Sequence, residues 1–158
     1  MGATSGIEHR WSEYLETYVQ VGVVSGSVVS VRFVNEPGEE SDERAEGQGS
    51  DALRAVFAYL NGEVETTPDV PYALTVSGVE RKALERTRDV PYGTTTTYAE
   101  FAARVGEGDD EGVARVRDAL HDNPVPIVLP SHRVVAEDSV GGFAGPRRVK
   151  ERLLALEE

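Results

Sequence analysis

The chain has 158 residues, 39% of them hydrophobic, which suits one globular domain or two small ones sharing an interface. It contains no cysteine, so disulfides, thiolate metal sites and thiol catalysis are excluded, and His9, His121 and His132 lack zinc-ligand spacing. The formal charge of −12, from 28 acidic against 16 basic residues, works against binding a polyanion, although PRRVKER (146–152) concentrates basic residues in one segment.

The opening residues, MGATSGIEHRW, show no secretion signal. Residues 19–24 and 27–34 alternate as two strands, with Val29, Val31 and Phe33 on one face and a tight turn at Ser25-Gly26. The acidic, aperiodic stretch 36–49 reads as a solvated loop. Ser50 caps a helix that buries Leu53, Val56, Phe57 and Leu60 and stops at Gly62. The Pro68–Pro71 stretch reads as a linker, dividing an N-terminal α/β domain (1–70) from a C-terminal one (71–158).

In the second half, Ser77 with Glu80 and Thr97 with Glu100 have capping-box spacing. The helix after Thr97 buries Phe101, Ala102 and Val105. Another follows the acidic turn 107–111, with Val113, Val116 and Leu120 inward and Arg115 and Asp118 outward. Two short helices about a glycine-containing turn form a candidate helix-turn-helix, a pattern that any antiparallel helix pair also produces. The expected fold is therefore a two-part α/β protein. A small N-terminal domain has an antiparallel hairpin and helix, and a mostly helical C-terminal domain carries the helix-turn-helix. No apolar run approaches the roughly 18 residues of a membrane span. A cytoplasmic monomer without metal or cofactor is expected. The acidic surface, with Lys82 and Lys150 the only lysines, suits concentrated salt or simply solubility.

Three blocks occur in series: VPYGTTTTYAEFA (90–102), NPVPIVLPSHRVV (123–135) and GGFAGPRRVKERLLALE (141–157). Together they resemble the O6-alkylguanine-DNA alkyltransferases. That family has a Pro-x-Gly-x-x-x-x-Tyr segment, then Asn-Pro, an apolar strand and Pro-Cys-His-Arg-Val, then a glycine-rich loop and final helix. The resemblance runs from about residue 77 to 157, and the N-terminal part fits less closely. Ser131 stands where the family has its alkyl-accepting cysteine.

The resemblance implies that the helix-turn-helix enters the minor groove of double-stranded DNA and that O6-alkylguanine is rotated out into a pocket. Tyr98 would crowd the phosphate and contact a ring nitrogen, and Pro126 and Phe143 would sandwich the base, although all three residues also suit a packed interior. The carbonyls of Ser131 and Val134 would accept from the guanine amino group, and the Ala144 N–H would approach O6. His132 and Glu157 would draw the acceptor's proton through water, and Asn123 would tie the recognition helix to the active-site strand. Arg133 is counted with the DNA contacts. The family's base-replacing arginine aligns with Ala114, which leaves Arg115 as the expected substitute.

Serine at 131 changes the chemistry, because a hydroxyl is far less acidic than a thiol and an O-alkyl purine is a poor electrophile. The expected protein binds the lesion without removing the alkyl group. It is either a natural sensor that recruits a partner such as nucleotide-excision repair, or an alkyltransferase whose cysteine has been replaced. A serine hydrolase using Ser131 and His132 is disfavoured, since neighbours on an extended strand face apart. A helix-turn-helix regulator without a lesion pocket is the alternative from another functional class.

Overall fold

β1 (Gly6–Ser12), β2 (Thr17–Val24) and β3 (Ser27–Val34) form an antiparallel meander in the computed structural model, which describes residues 5–158. The first four residues of the segment read for a secretion signal lie outside the described residues. Ser25 and Gly26 turn the β2–β3 hairpin with φ of 50° and 83°, the left-handed pair that matches the twist of the flanking strands. Val29, Val31 and Phe33 do not share a buried face as expected. The register shifts at Gly22/Val23, so Val23 pairs with Val28 and Gly22 with Ser30, and Val28 and Val31 become the buried pair. An extra residue on one strand breaks period-two alternation.

β1 is illegible by periodicity because its adjacent polar residues Glu8 and His9 are both buried. Each has a partner: Glu8 accepts from Arg44 Nε at 3.0 Å and from Ser50 N, and His9 Nδ1 lies 2.7 Å from Ser41 Oγ. Ser41 opens β4 (Ser41–Glu43), which pairs parallel to β1 and completes the sheet order β3-β2-β1-β4. The stretch 36–49, expected to be wholly loop, therefore contains an edge strand. α1 (Asp51–Leu60) is capped by Ser50, whose hydroxyl accepts from Leu53 N, and it buries the four expected residues together with Tyr59.

The Pro68–Pro71 stretch is stitched to the sheet. Val28 N donates to Pro71 O and Ala73 N to Val28 O, both at 2.9 Å. α2 (Gly78–Arg86) begins without the expected Ser77 cap: Ser77 is extended, but the next residue, Gly78, holds φ 66° and no side-chain cap hydrogen bond forms. β5 (Thr96–Thr97) leads into α3 (Tyr98–Arg104), whose Thr97–Glu100 capping box is formed. α4 (Asp110–His121) completes the helix-turn-helix. β6 (Val134–Val135) pairs parallel to β5, and α5 (Arg147–Leu156) closes the fold. A continuous core joins Val21 and Val31 of the sheet and Leu53 and Phe57 of α1 to Leu84, Phe101, Leu120 and Leu153 of the later helices. The small sheet-bearing N-terminal part and helical C-terminal part match the expected fold class.

The basic segment 146–152 is not a free DNA-binding patch. Arg148 donates to Leu15 O, Arg152 donates to Tyr14 O at 2.7 Å and pairs with Glu16, and Lys150 is fully buried. Arg148 and Arg152 tie α5 to the β1–β2 turn. No helix among the described residues is long and apolar enough to cross a membrane.

Candidate active site

The chain leaves α4 through Asn123, a buried side chain that spans the following turn. Its Oδ1 accepts from Val125 N at 2.9 Å, and its Nδ2 donates to Leu129 O at 2.8 Å and Ser131 Oγ at 3.0 Å. Within the turn Ile127 holds φ 75°, a costly conformation for a β-branched residue that survives only when its surroundings enforce it. Asn123→Ala removes these bonds and strands buried polar groups, so a loss of about 2–4 kcal/mol is expected in urea unfolding. A loss below ~1 kcal/mol would assign the turn's stability elsewhere.

Residues 127–135 are not one extended strand, as the sequence suggested. Ser131–Arg133 form a 3₁₀ turn, and only Val134–Val135 are strand. The opposite-faces argument against a Ser131–His132 pair therefore does not apply. Ser131 Oγ meets Asn123 Nδ2, while His132 turns its Nε2 to Glu157 Oε2 at 2.7 Å. Ser131 and His132 are both buried, at 3% and 0% exposure.

Arg133, expected at the DNA surface, is instead 1% exposed. Its Nε and Nη2 grip the two oxygens of Glu157 at 2.9 and 3.0 Å, and Nη1 donates to Val90 O and Thr67 Oγ1. A guanidinium this deep must be paired, and Glu157 pairs it. Burial alone would raise the Glu157 carboxyl, but donation from His132, Arg133 and Tyr59 holds it well below the ordinary carboxylate range. Burial pushes His132 down, so its imidazole is neutral. An ionised carboxylate only accepts, which puts the His132 proton on Nε2 and leaves Nδ1 as the acceptor. That Nδ1 is buried with no hydrogen-bond partner.

Sequence reading missed Tyr59. From α1 it donates to Glu157 Oε2 at 2.5 Å and lies 3.3 Å from His132 Nε2. A core tyrosine on an amphipathic face carries no sequence signal for such a role. Lys150 was also missed: its Nζ donates to Val134 O and Gly142 O at 2.8 Å and to Tyr98 OH at 3.3 Å. Burial, reinforced by Arg147, pushes its pKa down to about 8. A lone lysine in an apolar helix repeat was the available signal.

The β5–β6 ladder sets Tyr98 beside this strand, where burial raises its phenol. Val134 and Pro126 are buried, and Phe143 and Ala144 are partly exposed, with Phe143 leaning on Phe33 at 5.8 Å between ring centroids. Ser131 O already accepts from Val134 N, and Val134 O from Lys150. Each carbonyl keeps a second lone pair. Among the described residues no group of three His, Asp or Glu side chains could hold a metal ion.

On α4, Arg115 and Arg117 are both exposed. At about 100° per residue, Ala114 and Arg117 share the His121 face, whereas Arg115 lies about 120° away. The charge of Arg117 acts on both Tyr98 and His121. Arg117 therefore faces the Tyr98–His121 pair, and Arg115, the expected DNA contact, points away from it. The helix starts where Asp109 Oδ1 accepts from Gly112 N at 2.6 Å. A Cβ on Gly112 would sit 2.4 Å from Glu107 O, so the tight turn requires glycine there.

The chain is similar to known proteins over most of its length. Residues 78–158 match the family described as 6-O-methylguanine DNA methyltransferase, DNA binding domain. The methylated-DNA–protein-cysteine methyltransferase of Archaeoglobus fulgidus is 30% identical over 94% of this chain and 95% of its own length. That of Methanopyrus kandleri is 41% identical over 66% of this chain and 76% of its own. Mycobacterium tuberculosis OGT in complex with DNA superposes with a TM-score of 0.77, covering 95% of this chain and 92% of that one at 24% identity. The O6-methylguanine-DNA methyltransferase of Pyrococcus kodakaraensis gives 0.70 at 25% identity, covering 96% and 98%. The chain belongs to the 6-O-methylguanine DNA methyltransferase family, whose members are DNA repair proteins.

Proposed function

We propose that this protein binds O6-alkylguanine in double-stranded DNA with the base rotated out of the stack, and that Ser131 leaves the alkyl group in place. The observation carrying this reading is the acceptor arrangement: Ser131 Oγ held by Asn123, next in sequence to a neutral His132 whose Nε2 is committed to Glu157. His132 Nδ1 is then the one nitrogen free to take a proton. One neutral imidazole does not compensate for a hydroxyl that is several units less acidic than a thiol. Tyr98 would donate to the purine ring, Pro126 and Phe143 would flank it, the Ser131 and Val134 carbonyls would accept from its amino group, and Ala144 N–H would meet O6. Residues 71–158 would read the DNA as a monomer, supported by residues 1–70. Because the alkyl group stays, a further repair system of the nucleotide-excision type would act on the marked site.

The test is competition between duplexes with one O6-methylguanine or guanine. Tyr98→Ala and Arg117→Ala should each cut lesion preference about tenfold, the worth of one or two polar contacts. Arg115→Ala should change it less than about threefold. Equal preference for both duplexes would instead favour a helix-turn-helix regulator without a lesion pocket.

A further inference from the structure

The two residues that would flank the base are held in different ways. Pro126 lies in the turn that Asn123 braces, and just before it Val31 N of β3 donates to Pro124 O at 2.9 Å. Phe143 sits in the loop 137–145, where no backbone–backbone hydrogen bond forms among the described residues. One point of that loop is pinned. Gly142 O accepts from Lys150 Nζ at 2.8 Å and from Tyr98 OH at 3.4 Å, and the same phenol lies 3.1 Å from His121 Nε2. A Cβ on Gly142 would come within 2.7 Å of His121 Cε1, so the pinned backbone lies directly on that ring.

The Phe143 ring itself is braced from the other half of the molecule. Phe33 of β3 points the same way as buried Val31, two positions earlier, and is the last residue of the strand to do so. Its ring meets that of Phe143 at 5.8 Å between centroids, with a 34° tilt. It also lies against the loop backbone, since a Cβ on Gly145 would come within 2.8 Å of Phe33 Cδ2. Phe33 thus touches the loop on both sides of Ala144, whose N–H would meet O6. One strand of the N-terminal sheet therefore contacts both walls, the Pro126 turn through a backbone hydrogen bond and Phe143 through a ring.

Resting on the lesion-binding reading above, we propose that Phe33 is a positioning residue that sets which O6 substituents the pocket accepts. It holds Phe143 toward Pro126 and so narrows the slot between them against substituents bulkier than methyl, such as benzyl. The Pro126 wall keeps its place through its own turn, whereas the Phe143 ring keeps its place through Phe33. Removing the Phe33 ring lets one wall recede and leaves the other standing. A methyl lesion then loses contact with the receding wall, and a benzyl group gains room. The benzyl-to-methyl affinity ratio should change about tenfold, the upper worth of one aromatic pair.

The experiment measures affinities for duplexes carrying guanine, O6-methylguanine or O6-benzylguanine, with melting temperatures as a folding control. The proteins are the parent, Phe33→Ala, Phe33→Leu and Phe57→Leu. Phe33→Ala should move the benzyl-to-methyl ratio about tenfold toward benzyl, and Phe33→Leu, which refills part of the volume, about threefold. Phe57→Leu trims the buried core between the sheet and α1, so it should lower the melting temperature without moving the ratio. Should Phe33→Ala fail to fold, Phe33→Leu decides by the same ratio. A parent that prefers the lesions to guanine, with a ratio unmoved at Phe33 or moved as far by Phe57→Leu, would overturn this inference alone. A parent that holds all three duplexes equally would overturn the lesion reading itself, and this inference with it.

Discussion

Ser131→Cys is expected to turn a binder into a stoichiometric, self-inactivating alkyltransferase. The acceptor position is already assembled, since Asn123 Nδ2 supports the side chain at 3.0 Å and His132 is neutral with Nδ1 unpartnered. In the variant the thiol proton would pass to His132 Nδ1, directly or through water, and the thiolate would attack the methyl carbon. The S–C bond forms as the C–O6 bond breaks. The electron pair stays on guanine, which takes a proton from the Tyr98 hydroxyl at the ring nitrogen it faces, and the proton held by His132 is returned to Tyr98 through solvent. The lower pKa of a thiol supplies the reactivity that serine lacks. Sulfur for oxygen adds little volume, although Ser131 is only 3% exposed and the fit is close. Intact-mass analysis after incubation with O6-methylguanine DNA should show one added methyl on the cysteine variant and none on the parent. Methylation of the parent would overturn the argument from acceptor acidity. A cysteine variant that binds the lesion yet stays unmodified would mean that the pocket supports recognition only.

The largest stability effect is expected at Glu157. Its side chain is 2% exposed and receives His132, both arms of Arg133, Tyr59 and Gly93 N. Glu157→Gln leaves the Arg133 guanidinium buried without a counter-charge, and breaking such a pair costs about 3–5 kcal/mol. The Glu157 carboxyl is held below its ordinary value of 4.5, so its contribution is complete above that pH and is lost as pH falls below it. His132, kept neutral, adds a loss in the same direction as pH drops below its ordinary 6.5. Melting curves should therefore show the parent well above Glu157→Gln at neutral pH, with the gap narrowing below pH 4.5. A constant gap through that range would place the stabilisation elsewhere.

What the sequence made legible follows from what periodicity and motif spacing can register. The β2–β3 hairpin, α1 with its Ser50 cap and the Thr97 capping box were readable because apolar spacing and local side-chain chemistry determine them. β1 and β4 were not, because Glu8, His9 and Ser41 are buried polar residues whose partners lie more than thirty positions away. Motif order brought Asn123, Ser131, His132 and Glu157 into view. The burial of Arg133 was hidden, because an arginine bound for Glu157 looks the same in sequence as one bound for phosphate. Tyr59, Lys150 and His121 escaped for a related reason. Each acts through a contact between distant segments, and each sits in a helix where its residue type is unremarkable. Arg115 and Arg117 of α4 differ by two positions, and only helix phase separates them.

Lesion recognition as proposed is led by the groups around Tyr98 and Ser131 and not by charge. The chain carries −12 overall, and Arg148, Lys150 and Arg152 of its basic segment are tied to its own carbonyls. Phosphate contacts weaken steeply with salt, whereas stacking and buried hydrogen bonds do not. The most direct measurement is a titration of the unmodified protein with duplexes carrying O6-methylguanine or guanine, from low to molar salt. Lesion binding should persist into molar salt while undamaged binding is lost, so that preference widens. Parallel, steep loss of both would contradict the account.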